Sequence, residues 1–178
     1  TGRYVKKLKK ALNIHEPVFV TNDVVPDNSP PEIMERGGLK QVGRFFKLND
    51  YEPIPDSWIA DECLDLVTCY IGLHHCPREK LGAFIDSIRR VLRPGGQFVL
   101  RDHDAGTDDM RTFVALVHTV FNAGLGVSWG EDRKELRLFE GIDFWVGELT
   151  ARGFTDSGKR LLQAHDPSLN TLLCFTRE

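Results

Sequence analysis

From Leu64 to Ile71 the chain is apolar and rich in β-branched residues, broken only by Asp65 and Thr68. A strand with one wet face alternates apolar and polar residues. A continuous apolar run suits a central strand covered on both faces, as in parallel sheets flanked by helices. The next forty residues agree with that. Leu81, Phe84, Ile85, Ile88, Val91 and Leu92 share one helical face. Arg89, Arg90 and Arg93 crowd the last turn, where cations suit the negative end of the helix dipole. Pro94-Gly95-Gly96 then predicts a sharp stop, and Gln97 to Asp102 reads as the next strand.

The same alternation runs through the rest of the chain. Tyr4, Val5, Leu8, Ala11 and Leu12 line one side of a predicted three-turn helix, with Lys6, Lys7, Lys9 and Lys10 opposite. Val18 to Thr21 and Arg44 to Leu48 read as short strands. Between them, Pro26, Pro30, Pro31, Gly37 and Gly38 predict a loop with a short helix around Pro31 to Arg36. Glu52 to Glu62 reads as a connecting loop. Asp108 and Asp109 open a helix whose one side carries Met110, Phe113, Val114, Val117, Val120 and Phe121. Phe121 to Gly126, with Trp129, reads as a loop able to cover a substrate. Ile142 to Arg152 is a further helix stopped by Gly153, and Trp129, Phe139, Phe144 and Trp145 read as core or lid residues. Lys159 to Gln163 and Thr171 to Thr176 close the chain as an antiparallel pair at one sheet edge. Strands alternating with helices predict a mostly parallel sheet with helices on both faces, and 178 residues suit one domain.

Composition narrows the partners. A net charge of −3 gives no footprint for non-specific nucleic-acid binding. No apolar run is long enough to span a bilayer, and Thr1-Gly2-Arg3-Tyr4 begins no secretory signal. Cys63, Cys69, Cys76 and Cys174 form no C-x-x-C pair, and Cys69 and Cys174 lie in strand-like runs. Reduced thiols in a cytoplasmic protein fit that pattern.

Three local strings occur in order: Asp65-Leu66-Val67 in the apolar run, Leu73-His74-His75 just after it, and Leu92-Arg93-Pro94-Gly95-Gly96 behind the helix. Together they resemble the class I S-adenosylmethionine-dependent methyltransferase family. The resemblance implies an α/β, Rossmann-like, doubly wound fold, a mostly parallel sheet with a C-terminal antiparallel hairpin. The activity it implies is methyl transfer from S-adenosylmethionine. It places Asp23, after the second family strand, on the cofactor ribose, since a carboxylate can accept two hydroxyl hydrogen bonds at once. Asp50 and Tyr51 then lie near the adenine, and Tyr70, Ile71 and Gly72 beside the methionine and methyl group. Gly2 corresponds to the end of the family's glycine-rich loop. The first, central strand of the family is absent from the sequence, so an N-terminal segment or another chain is expected to complete the fold.

Asp23 and Asp50 could equally cap local turns. His74 and His75 serve either as base or substrate contacts, or only as turn geometry. In Arg101-Asp102-His103-Asp104, Asp102 and His103 could stand near the acceptor, or the cluster could be a solvated loop with a helix cap. His118 fits a core position or a substrate contact. The ligand types of His74, His75, Cys76, His103 and Asp104 suit a metal, but their spacing matches no local ligand motif, and no metal is expected. The fourth family strand ends in Cys69-Tyr70-Ile71-Gly72 rather than the Asn/Asp-Pro-Pro-Tyr string of amide and exocyclic-nitrogen methylating relatives, which points to a small-molecule acceptor. The alternative function is a non-catalytic, methyltransferase-like scaffold or partner-binding module. A nucleotide-binding oxidoreductase of similar topology is disfavoured by the missing fingerprint glycines.

Overall fold

The computed structural model describes residues 4–178, so Gly2 lies outside the described residues. The chain divides into two compact units, one ending at Asp50 and one running from Tyr51 to Glu178.

In the first unit, α1 (Val5–Ala11) is two turns long and ends before the lysine-rich stripe can complete a third. Asn13 there adopts a left-handed backbone, φ 53°. Strands β1 (Phe19–Asn22) and β2 (Arg44–Lys47) pair in parallel, from Phe19 opposite Arg44 to Asn22 opposite Lys47. Phe19 stacks on Phe46 at 5.8 Å between ring centroids. The proline-rich connection contains α2 (Pro30–Arg36), which starts on proline, where a missing N–H costs no helical bond. The buried Arg36 guanidinium holds the rest of that loop, donating to the carbonyls of Asp27 (3.1 Å), Gly38 (3.2 Å) and Leu39 (3.3 Å).

The second unit holds a four-stranded mixed sheet ordered β3-β4-β6-β5, formed by β3 (Leu64–Tyr70), β4 (Leu92–His103), β5 (Phe154–Leu162) and β6 (Asn170–Arg177). β3 and β4 are parallel; β6 runs antiparallel to both β4 and β5, giving the expected edge hairpin. A 3-10 turn (Leu73–His75) and α3 (Arg78–Val91) connect β3 to β4. The buried face of α3 is the predicted stripe of Leu81, Phe84, Ile85, Ile88 and Val91. At its end, Arg90 reaches back to the loop before β3, donating to the carbonyls of Ile54 (2.6 Å) and Ile59 (3.2 Å).

Strand β4 begins earlier than the sequence suggests. Leu92 already pairs with Leu64, and the ladder resumes only at Leu66 opposite Gln97, so Pro94-Gly95-Gly96 is a bulge inside the strand. A Cβ on Gly96 would fall 2.8 Å from the Arg93 carbonyl oxygen and 3.1 Å from that of Leu64, which explains the glycine. Beyond the bulge Phe98, Leu100 and Asp102 alternate onto one buried face. A carboxylate thus continues an apolar row.

Helices α4 (Asp108–Gly124), α5 (Trp129–Asp132) and α6 (Ile142–Thr150) follow β4. α4 runs to Gly124, so Phe121 to Gly124 of the segment read as a loop are helical and only Leu125 and Gly126 turn away. Of its apolar side only Val114 is fully buried, and Val120 and Phe121 are exposed, as is Trp129 beyond the helix. Trp145 and Phe139 are buried as expected. No helix among the described residues is long and apolar enough to cross a membrane, and all four cysteines are free.

Candidate active site

The parallel strands β3 and β4 deliver their carboxyl ends side by side, with Tyr70 opposite Arg101. Just past β3, Ile71 takes a left-handed backbone (φ 52°) and Gly72 opens the 3-10 turn that carries His74 and His75. Tyr51 is buried, sets its ring edge-on to Phe84 at 5.2 Å and donates its hydroxyl to the Gly72 carbonyl. Tyr51, Tyr70, Ile71 and Gly72, all expected near the methionine and adenine of a cofactor, therefore share one end of this sheet.

The catalytic candidates converge. His74 Nδ1 lies 2.6 Å from Asp102 Oδ1, and both side chains are shut from solvent. Asp102 Oδ1 also accepts the His103 backbone N–H at 2.8 Å, while Oδ2 is buried without a partner. A carboxylate only accepts, so His74 carries a proton on Nδ1 and turns its Nε2 the other way. That Nε2 is 3.1 Å from Nε2 of His75. His75 Nδ1 in turn faces the Leu136 carbonyl at 3.0 Å, and His103 Nδ1 faces the Ser168 carbonyl at 3.1 Å. A carbonyl also only accepts, so both carry protons on Nδ1.

Helix α4 supplies a fourth imidazole. His118 lies four residues beyond the buried Val114, on the same side of the helix, and its Nε2 is 3.4 Å from that of His103. The Phe139 ring closes the group, 4.9 Å from His118 and 5.2 Å from His74 between centroids. The segment bearing it is tied to the turn by the Leu138 N–H, which donates to the His74 carbonyl at 2.6 Å. Burial depresses the pKa of His75, with the neighbouring His74 adding to the effect. Burial likewise lowers His103. His118 is pushed down to about 4 by burial and then by the surrounding imidazoles. The Cys69 thiol on β3 is pushed up to about 12 by burial and by the Asp102 charge, so it stays protonated and is no nucleophile.

Asp104 and Cys76, ligand types close to this cluster in sequence, stand apart from it. Asp104 Oδ1 accepts the Ile142 N–H at 3.0 Å and so caps α6, and Cys76 Sγ donates to the Pro77 carbonyl at 3.5 Å. The metal-capable groupings among the described residues contain neither; they are His74 with His75 and His118, and His74 with Asp102 and His103. The carbonyls of Leu136 and Ser168, which fix two tautomers, carry no sequence signal, because any residue supplies a carbonyl.

Asp23 and Asp50 belong to the first unit. Asp23 follows β1, is exposed, and its Oδ1 accepts the Asp50 backbone N–H at 3.1 Å. The neighbouring backbone turns through three consecutive left-handed residues, Asn49, Asp50 and Tyr51.

Among curated proteins, none matches the chain in sequence. The family model of a methyltransferase domain matches residues 24–100. An O-methyltransferase family 2 protein from Planctomyces limnophilus, solved with apigenin, superposes with a TM-score of 0.64 at 12% identity, over 99% of this chain and 48% of that one. An O-methyltransferase family protein from Burkholderia thailandensis gives 0.58 at 17% identity, over 99% and 49%. LepI in complex with SAM gives 0.61 at 12% identity, over 98% and 39%. The chain thus spans half or less of the length of each of these proteins. Residues 24–100 match the model of a methyltransferase domain, and the fold of the chain is similar to that of these methyltransferase-family structures.

Proposed function

We propose that this chain serves methyl transfer from S-adenosylmethionine to a small-molecule acceptor in the cytoplasm. The methyltransferase-domain match across residues 24–100 carries the reading. The cofactor supplies a methyl group already activated on a sulfonium, so the protein's work is to align donor and acceptor and exclude water. The donor chemistry of the chain fits such a ligand. Asp23 Oδ2 has no partner among the described residues, which leaves an exposed carboxylate oxygen able to accept from a ribose diol. Asp50 and Tyr51 are assigned to the adenine end. Tyr70, Ile71 and Gly72 are assigned to the methionine end. On the acceptor side, His74, His75, Asp102 and His103 form a polar group beyond the strand ends, where ligands of open α/β sheets bind. Asp102 orients His74 and is a positioning residue. The apigenin bound by the Planctomyces relative supports a small organic acceptor.

Calorimetric titration with S-adenosylmethionine and S-adenosylhomocysteine tests the reading. Saturable binding is expected, weakened at least about tenfold by Asp23→Ala, which removes charge-assisted hydrogen bonds. Label transfer from the cofactor into a panel of small hydroxyl- and amine-bearing compounds tests the acceptor class. Transfer into protein or nucleic acid instead would overturn the small-molecule assignment. No cofactor binding would favour the non-catalytic module.

A further inference from the structure

We infer that the histidine cluster of the second unit is a binding site for one transition-metal ion of the Zn²⁺ class. His74, His75 and His118 are its ligands, and His103 borders it.

The nitrogens of these rings converge. Of six histidines in the sequence, these four gather at one place, with the ring centroids of five of their pairs 4.2 to 5.6 Å apart. Three of them have Nδ1 set against an oxygen that only accepts: Asp102 for His74, Leu136 for His75 and Ser168 for His103. Each donates there, and the Nε2 atoms of His74, His75 and His103 turn toward the neighbouring rings. The two close nitrogen pairs are then Nε2 against Nε2, 3.1 Å for His74 with His75 and 3.4 Å for His103 with His118. His74 and His75, when both are neutral, cannot hydrogen-bond to each other through Nε2, whereas His118 can donate to His103. Between His74 and His75 lone pair then faces lone pair, and a proton or a metal ion between the two nitrogens relieves the arrangement.

The distances suit a metal. Zn–N bonds of about 2.0–2.1 Å put neighbouring tetrahedral donors about 3.3–3.4 Å apart. The ligating nitrogens of His74, His75 and His118 all lie within 4.8 Å of one another, a separation that small rotations of the half-buried His75 and His118 rings close. The surroundings complete the pattern. Metal-bound histidines characteristically donate their other N–H to a carboxylate or backbone carbonyl, and His74 and His75 do one each. Imidazole donors without a thiolate or a carboxylate in the inner set select Zn²⁺, Ni²⁺ or Cu²⁺ over Mg²⁺ or Ca²⁺. Three protein ligands leave a coordination position for a small oxygen or nitrogen ligand. Metal binding here goes beyond methyl transfer and does not depend on it.

The test is calorimetric titration of the chelator-stripped full chain with Zn²⁺, alongside Co²⁺ followed by its visible absorption. One equivalent is expected, with the intense Co²⁺ bands of a four-coordinate site. His118→Gln and His75→Gln should each weaken binding at least about tenfold, and Asp102→Asn, which changes only an outer partner, by about 10–100-fold. His15→Gln and His165→Gln should leave it unchanged. Circular dichroism shows whether each variant is folded. His118 lies on a helix that folds locally and Gln is a good helix former, so that variant keeps the test decisive. No saturable binding by the folded chain overturns the inference. So does binding indifferent to His75 and His118. Because the readout uses no cofactor, failure here and failure to bind S-adenosylmethionine are separate results.

Discussion

Oδ1 of Asp102 takes two hydrogen bonds, one from the ring of His74 and one from the backbone of His103, so one buried carboxylate oxygen sets both histidines. Asp102→Asn keeps the volume but removes the charge and can turn a donor toward His74 Nδ1. The variant should lose about 1–3 kcal/mol of stability, the range for a buried hydrogen bond to a charged group. Urea denaturation measures the loss. Nitrogen NMR should show His74 released from its single tautomer; a spectrum unchanged from wild type would remove Asp102 from its positioning role.

Asp132 gives a pH dependence. Burial pushes its carboxyl up, but donation from Asn122 (2.8 Å), Thr119 (3.0 Å) and Arg137 outweighs that and holds it below the ordinary value. A depressed carboxylate stabilises the fold fully above its unfolded pKa, and that contribution is lost as pH falls through the folded one. Stability should therefore decline on acidification below about pH 5. Asp132→Asn should flatten that acid limb in denaturation curves taken across pH. Parallel limbs for the two proteins would contradict it.

Phe98, with no exposed surface, fills the buried face of β4 and packs 6.0 Å from Phe154 between centroids. Phe98→Ala should cost about 3–5 kcal/mol, the range for removing a buried ring and leaving a cavity. A loss under about 1 kcal/mol would mean that the sheet collapses around the gap.

Gly96→Ala tests the bulge in β4. The added methyl meets two backbone oxygens, which have no rotamer by which to move aside. A loss of about 1–3 kcal/mol is expected, as for overpacking elsewhere. Gln97→Ala next to it, on an exposed side chain, should change stability by under about 0.5 kcal/mol.

The features legible in the residues are local and periodic. The α3 stripe, the β3 run and the closing hairpin come from side-chain spacing, and the structure bears them out. His74 and His75 are nameable because they stand just after β3, and Asp102 and His103 because they end β4. That His74 faces Asp102 rather than solvent depends on the register of β3 against β4, which spacing does not encode. Pro-Gly-Gly looks the same as a helix stop and as a bulge, which hides the true start of β4. On α4, periodicity shows that a helix has an apolar side, not that anything covers it, and Val120 and Phe121 remain open. Phe139 and the carbonyls of Leu136 and Ser168 reach the cluster through loops, whose paths have no periodicity.

Strand β6 lies between β4 and β5, placing Thr171 and Asn170 opposite Asp102 and His103. During synthesis on the ribosome, the half of the cluster on β4 therefore emerges long before the strand that braces it. Until β6 arrives, β4 offers a bare edge and His103 lacks the Ser168 carbonyl. A nascent or prematurely terminated chain would expose that edge to neighbours, so chaperone capture should be greatest for products ending between His103 and Asn170.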